Sequence, residues 1–148
     1  MIANIRDQLS RDEGSSLEAY FDTEGWATVG IGHWLGVKSL SEVPANLLLI
    51  SQAEELALFN ADLAHVNSLL SVYFPWWDQL STARAGVLQN MGFNLGVQGL
   101  IPFKAFMAWM KARNWSAAAS DLLTTKVAKQ LPERYHRLHQ QILTGHWQ

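Results

Sequence analysis

Residues 12–33 read DEGSSLEAYFDTEGWATVGIGH, and this stretch decides how the rest of the chain is interpreted. Two runs rich in aromatic and β-branched residues, 17–21 and 26–32, flank the polar segment 22–25. Asp and Gly favour tight turns, so the pattern predicts a β-hairpin. Glycines inside a strand, as at Gly30 and Gly32, often mark a close approach of another backbone or a ligand.

A short helix is predicted before the hairpin. The apolar residues there, Ile2, Ile5 and Leu9, recur at helical spacing. Gly14 follows them and is typical of a helix end. Glu13 is therefore expected in the last turn of this helix or just beyond it.

A longer helix is predicted after the hairpin, because Ser51 and Glu54 have capping-box spacing and an apolar stripe then lasts to about Tyr73. The rest of the sequence predicts helices over about 79–95, 102–113, 116–128 and 132–143. The predicted fold is α+β but mainly α, in a single domain of two lobes. It has a small N-terminal lobe with the hairpin (about 14–50), a connecting helix (about 51–73) and a helical lobe (about 74–148), with helix 2–12 packed on the last.

Composition narrows the class of protein. A 148-residue chain that is 49% hydrophobic can form a real core. With no Cys, disulfides and thiolate metal sites are excluded. The opening residues lack a signal-peptide core, and the longest apolar run, 47–50, is too short to span a bilayer. We therefore expect synthesis in the cytoplasm without an export signal, and no membrane insertion.

The net charge of −2 hides an asymmetry: residues 1–62 carry −7 and residues 63–148 carry +5. A basic half is typical of proteins that meet an anionic polymer, although ordinary surface charge is the simpler interpretation. No nucleic-acid-binding motif accompanies it, so no nucleic-acid partner is expected. We expect the acidic and basic halves to face each other across a cleft between the lobes, a common place for ligands.

Two carboxylates could supply acid chemistry. Cleaving a glycosidic bond needs a proton donor on one side and a group that handles water or positive charge on the other. Glu13 and Asp22 are suitably placed for these roles, but Asp12 and Glu18 lie equally near in the sequence. Spacing alone leaves the choice open.

The motifs DEG (12–14), YFDTEG (20–25) and TVGIGH (28–33) together strongly resemble the lysozymes of the bacteriophage T4 type, family 24 of the glycoside hydrolases. LFNAD (58–62), NMGFNLG (90–96) and TGHW (144–147) resemble that family's interlobe helix, cleft-lining helix end and closing motif. The resemblance covers essentially the whole chain and implies a lysozyme-like fold.

The resemblance also implies roles. Glu13 would be the general acid, Asp22 would stabilise positive charge and orient a water, and Thr28 would hold that water. The family is described as inverting, which requires carboxyl groups about 6.5–9.5 Å apart. The implied activity is that of an N-acetylmuramidase, which hydrolyses the β-1,4 bond between N-acetylmuramic acid and N-acetylglucosamine. The expected partner is the glycan strands of peptidoglycan. We expect the protein to be a monomer and to reach the cell wall through a separate pore.

Supporting residues are implied in the same way. Arg134 would clamp the catalytic Glu, and His33 would pair with Asp62 for stability. The implied saccharide contacts are Glu24, Gly32, Asn90, Phe93 and Asn94. Phe93 fits a position in the hydrophobic core equally well. No metal or other cofactor is expected, since His136 and His139 lack a third ligand close in sequence.

The chain departs from the family's type member in three respects. The segment between His33 and the interlobe helix is shorter, Val127 and Ala128 replace aromatics near the cleft, and the net charge is not strongly basic. The last predicts a weaker dependence of activity on salt. Two other functions stay open: a lytic transglycosylase, which would use one Glu and no water-holding pair, and a wall-binding module without catalysis.

Overall fold

The computed structural model describes all residues from Met1 to Gln148 and contains eight α-helices and a three-stranded sheet. The chain divides into two compact units. The sheet unit comprises residues 9–64, and the helical unit comprises residues 1–8 and 65–148. Both boundaries fall within helices, one inside α1 (Ile5–Glu13) and one inside α3 (Gln52–Tyr73). The mainly helical, lysozyme-like fold class predicted from the sequence is confirmed.

The sheet unit is built on an antiparallel sheet of order β1-β2-β3, with strands β1 (Ser16–Phe21), β2 (Ala27–Gly30) and β3 (His33–Trp34). The predicted hairpin is confirmed, but its second run does not stay one strand. The chain turns at 31–32 and adds β3, because Gly30 and Gly32 adopt the left-handed region, with φ of 64° and 62°. A short helix α2 (Ala45–Leu48) precedes α3.

The predicted capping box at the start of α3 is confirmed by two reciprocal hydrogen bonds. The Ser51 N–H donates to Glu54 Oε2 at 2.7 Å, and the Glu54 N–H donates to Ser51 Oγ at 3.1 Å. These bonds satisfy N–H groups that the first helical turn leaves without partners. Close by, Gly30 lies against the same helix, because a Cβ there would stand 3.3 Å from Glu55 Cγ.

The helical unit is built around α4 (Thr82–Leu95), and most residues of this helix are buried. Around it stand α5 (Lys104–Lys111), α6 (Trp115–Leu123), α7 (Lys126–Gln130) and α8 (Pro132–Thr144), with α6 packed on both α5 and α8. The core includes large side chains with no exposure to solvent, among them Leu88, Met91, Phe106, Leu122 and Tyr135.

The single helix predicted over 116–128 is wrong. The chain leaves the helix at Thr124 and starts again as α7, because Thr125 caps the new helix: its hydroxyl accepts the Ala128 N–H at 3.3 Å. Thr hydroxyls compete with the backbone in this way and are better cap residues than helix-interior residues. The other predicted helices differ from the observed ones only at their ends.

Candidate active site

One cavity of about 320 Å³ in the sheet unit brings together the three predicted catalytic residues, Glu13, Asp22 and Thr28. Each comes from a different local element: a helix end, a turn and a strand. The remaining lining residues are Tyr20, Phe21, Thr23, Gly32 and Trp34. Asp12 and Glu18, which the sequence left as alternatives, do not line the cavity.

Glu13 is the last residue of α1 and is half-buried. Gly14 follows it with a φ of 81°, a left-handed conformation that ends the helix. Gly32 lies directly against the Glu13 side chain, because a Cβ on Gly32 would stand 2.9 Å from Glu13 Cβ and 3.3 Å from its Cγ. A side chain here would force Glu13 or the end of its helix to shift, so the glycine-rich strand end helps to set where the Glu13 side chain stands.

Asp22 is oriented by the turn it begins. Its Oδ1 accepts the N–H of Glu24 and the N–H of Trp26, each at 2.9 Å. The turn closes through a further backbone bond, in which the Gly25 N–H donates to the Asp22 carbonyl at 3.0 Å. An Asp side chain that caps its own turn loses most of its rotational freedom. The carboxylate is therefore held in one orientation at the cavity.

Thr28 lies in β2 and is 4% exposed. Its hydroxyl donates to the Trp26 carbonyl at 3.1 Å. Because a hydroxyl has one proton and two lone pairs, this bond uses the proton and leaves acceptor capacity on the oxygen. Thr28 can thus accept a hydrogen bond from a water molecule in the cavity.

Tyr20 is a cavity residue that the sequence reasoning missed. Burial raises the pKa of its phenol, and the neighbouring carboxylates of Glu13 and Asp22 raise that pKa further. Tyr20 therefore keeps its proton under neutral conditions and presents a hydrogen-bond donor near both acids. Its position two residues before Asp22, near the end of the predicted strand 17–21, is the sequence signal that could have identified it.

His33 contacts Asp62 in α3 through a 2.7 Å hydrogen bond between Nδ1 and Oδ2. This hydrogen bond, more than the attraction between the charges, raises the pKa of the His33 imidazole, although burial opposes the shift. Neither residue lines the cavity. The pair joins the end of the sheet to the long helix within the sheet unit.

Arg134 and Asn90 lie in the helical unit and are both buried. Arg134 Nε donates to Asn90 Oδ1 at 2.9 Å, and Asn90 Nδ2 donates to Gln8 Oε1 at 3.1 Å. Gln8 in turn donates to Gln141 Oε1 at 2.6 Å. The saccharide contact of Asn90 stays a prediction, and in this structure its side chain is buried and takes part in this network.

The other predicted saccharide contacts are distributed between the two units. Gly32 lines the cavity, whereas Glu24 is exposed and does not line it. Phe93 is half-buried and packs against the core of the helical unit, which favours the core interpretation. Asn94 Oδ1 accepts the Tyr135 hydroxyl at 2.8 Å.

A larger depression of about 490 Å³ lies in the helical unit, but its lining has only one carboxylate. Its residues are Leu123, Ala128, Pro132, Glu133, His136 and Arg137. Inverting and retaining hydrolysis of a glycosidic bond both use two carboxyl groups, so the smaller cavity is the candidate active site. The side chains form no cluster of three or more His, Asp and Glu that could hold a metal ion. None of the helices is long and apolar enough to cross a membrane.

A family model described as phage lysozyme matches residues 10–138, a range that contains Glu13, Asp22 and Thr28. The chain belongs to the phage lysozyme family. It is therefore a glycoside hydrolase, as the sequence predicted.

Two of the curated relatives, a T4-type lysozyme and an endolysin, agree with this assignment. The enzyme is 31% identical over 167 aligned positions to the probable T4-type lysozyme 1 of Dictyostelium discoideum, covering 98% of this chain and 96% of that one. It is 30% identical to the pre-baseplate central spike protein Gp5 of Enterobacteria phage T4, matching 96% of this chain but only 28% of that larger protein. It is 28% identical to the endolysin of Salmonella phage P22, over 85% of this chain and 83% of that one.

Proposed function

We propose that the enzyme is an N-acetylmuramidase that hydrolyses the β-1,4 bond between N-acetylmuramic acid and N-acetylglucosamine in peptidoglycan. One observation carries the proposal: a helix-end carboxylate, a turn-held carboxylate and a buried threonine hydroxyl line the same small cavity. Peptidoglycan is the substrate that membership of a lysozyme family implies.

In the proposed reaction Glu13 protonates the glycosidic oxygen as the bond to the anomeric carbon breaks. A water molecule attacks that carbon from the opposite face of the sugar and gives a proton to the Asp22 carboxylate, and exchange with solvent then returns a proton to Glu13, so one water is consumed for each bond cut. Asp22 stabilises the positive charge that develops on the sugar, and Thr28 holds the attacking water through its free lone pairs. This arrangement inverts the anomeric configuration.

The family resemblance further assigns Arg134 to the support of Glu13. Asn90 accepts two hydrogen bonds from the guanidinium, at 2.9 Å to its side-chain oxygen and 3.3 Å to its carbonyl. The guanidinium is therefore held in one orientation by Asn90 within the helical unit. We propose Arg134 as a positioning residue and His33 with Asp62 as a structural pair.

Analysis of the products tests the reaction. Purified peptidoglycan is digested with the enzyme, and the soluble fragments are measured by mass spectrometry. Hydrolysis predicts reducing N-acetylmuramic acid ends. Anhydro ends, lighter by one water, would instead identify a lytic transglycosylase, and unchanged peptidoglycan would identify a wall-binding module. Proton NMR of the newly formed ends, recorded before mutarotation, is expected to show the α anomer.

We also propose that the enzyme acts on glycan strands as a monomer, since the cavity is formed by residues of one chain. Light scattering after size-exclusion chromatography is expected to give a mass near 16.6 kDa. A stable dimer under assay conditions would contradict this part of the proposal.

A further inference from the structure

Three amide side chains are completely buried in the helical unit. Gln8 lies in α1, Asn90 in α4 and Gln141 in α8, and none of them is exposed to solvent. A buried amide costs free energy unless its oxygen and its nitrogen are both hydrogen-bonded, so neighbouring groups must satisfy it. Here the three amides bind one another and Arg134, and we call these four residues the amide network.

Each member of the amide network donates to the next one. Arg134 Nε donates to Asn90 Oδ1 at 2.9 Å, and Asn90 Nδ2 donates to Gln8 Oε1 at 3.1 Å. Gln8 Nε2 then donates to Gln141 Oε1 at 2.6 Å, and Gln141 Nε2 donates to the Ala83 carbonyl at 2.6 Å. The hydrogen bonds therefore run in one direction, from the guanidinium to a backbone carbonyl of α4.

Backbone groups fix this direction. The Ala83 carbonyl can only accept a hydrogen bond, so Gln141 must turn its nitrogen to Ala83 and its oxygen to Gln8. The main-chain oxygen of Gln148 accepts a further bond from Gln8 Nε2 at 3.2 Å, and the Gln148 N–H donates to Gln141 Oε1 at 3.4 Å. A reversed amide at Gln8 would set oxygen against oxygen on one side and nitrogen against nitrogen on the other. Each amide therefore has a single favourable orientation.

The amide network presents a hydrogen-bond acceptor to Arg134. Because Asn90 Nδ2 is held by Gln8, Asn90 Oδ1 is the atom that faces the guanidinium, which carries only donors. The Asn90 carbonyl accepts a second bond from Arg134 Nη2 at 3.3 Å. Hydrogen bonds in series inside a protein polarise one another, which strengthens the last bond of the series. Gln8 and Gln141 therefore stabilise one orientation of the guanidinium through Asn90.

We propose that Gln8 and Gln141 are positioning residues for the glycosidase reaction. They act through Asn90, which holds the Arg134 guanidinium in the orientation that the reaction needs. This inference rests on the proposed function, which assigns Arg134 to the support of Glu13. A guanidinium is planar, so it supports a carboxylate best when its plane is held in one direction. Neither glutamine lines the catalytic cavity, so their effect on the reaction is indirect.

The alternative is that the amide network only stabilises the core. Gln8→Met keeps the length and nearly the volume of the side chain but removes both its donor and its acceptor. Asn90 then loses the partner that fixes its amide, and Arg134 faces either an oxygen or a nitrogen. Because a buried group without its partner also lowers stability, rates are measured per mole of folded enzyme and compared with a control outside the network.

Kinetics on purified peptidoglycan test the proposal. Gln8→Met is expected to lower kcat about tenfold and to leave KM within about twofold, because a loosened guanidinium misplaces the acid but removes no substrate contact. Gln141→Met, one bond further from Arg134, is expected to lower kcat about fivefold. Gln89→Met is the matched control, since it breaks a 2.8 Å amide bond from Gln89 Nε2 to Asn67 Oδ1 that is not part of the network. Its kcat is expected to equal that of the parent.

Two further measurements separate positioning from stability. The Arg134 Nε–H signal, identified by its absence from Arg134→Lys, is followed by NMR on enzyme labelled with nitrogen-15. In Gln8→Met this signal is expected to shift and to exchange faster with water. In a double-mutant cycle Gln8→Met is combined with Arg134→Met, and its effect on kcat is expected to fall below about twofold in that background.

Three results would each overturn the proposal: a kcat of Gln8→Met within twofold of the parent, an unchanged Arg134 signal, or a loss of kcat that persists in full in the Arg134→Met background. If Gln8→Met does not fold, Gln141→Met is measured against the same three results.

The two proposals fail in different ways. If Glu13→Gln cuts as fast as the parent while Gln8→Met loses kcat and shifts the Arg134 signal, the catalytic assignment is wrong and the positioning role stands. If Glu13→Gln is inactive but Gln8→Met and Gln141→Met keep the kcat of the parent, the catalytic assignment stands and the amide network is only structural.

Discussion

Replacing Gly32 with Ala tests how the strand end positions the catalytic acid. The added Cβ would stand 2.9 Å from Glu13 Cβ, whereas ordinary contacts begin at 3.4 Å, so Glu13 or its helix end must move by about 0.5 Å. A misplacement of about 1 Å at a catalytic group costs roughly 100-fold in rate, so we expect kcat to fall about 10-fold to 100-fold. Specific activity is measured on purified peptidoglycan, per mole of folded enzyme.

The same substitution also costs stability, because alanine at a φ of 62° adopts the left-handed region at about 1–2 kcal/mol. For a chain of this length the melting temperature should fall by about 2–8 °C. Gly96→Ala is the matched control, since Gly96 has a φ of 73° but a Cβ added there would meet no atom within 4 Å. It should lose similar or greater stability and keep its activity. If Gly32→Ala retains activity within twofold of the parent, the close approach does not position Glu13.

Thr28→Val is expected to reduce kcat about 100-fold with little change in melting temperature, whereas Thr28→Ser keeps the hydroxyl and most of the activity; equal activities would remove Thr28 from water binding. The His33–Asp62 pair should stabilise the fold most at low pH. Because folding raises the pKa of His33, the contribution is fully present below about pH 6.5 and is lost as the pH rises through the folded value. For a partly exposed pair we expect Asp62→Asn to cost about 0.5–1 kcal/mol at pH 5.5 and less at pH 9 in urea unfolding. The same cost at both pH values would contradict the assignment.

The local signals in the sequence were sufficient where a few adjacent residues determine the structure. Gly14 ends α1 directly after Glu13, and Ser51 and Glu54 form their capping box, because each of these features depends on neighbours within three or four positions. The spacing of residues in the sequence was not sufficient to identify the catalytic residues of the cavity. It was the resemblance to a family that separated Glu13 from its neighbour Asp12.

What the sequence did not predict depends on register and burial. Trp34 and Tyr20 reach the cavity because both pair with Thr28, and the turn that creates β3 was not visible in the hydrophobic pattern. Asn90 is enclosed by Gln8 and Arg134, which are 82 and 44 positions away in the sequence. Buried polar networks of this kind form through tertiary packing, which local sequence patterns do not encode.

The comparison of Glu13→Gln with the parent enzyme tests the central claim most directly. Glu18→Gln is the control, because Glu18 is an exposed carboxylate of the same unit that does not line the cavity. The release of reducing ends from purified peptidoglycan is measured for all three proteins after their melting temperatures are compared. We expect Glu13→Gln to lose at least about 1,000-fold in rate, as removal of a proton donor does at the upper range of acid catalysis, and Glu18→Gln to match the parent. A Glu13→Gln variant that releases reducing ends as fast as the parent would contradict the account.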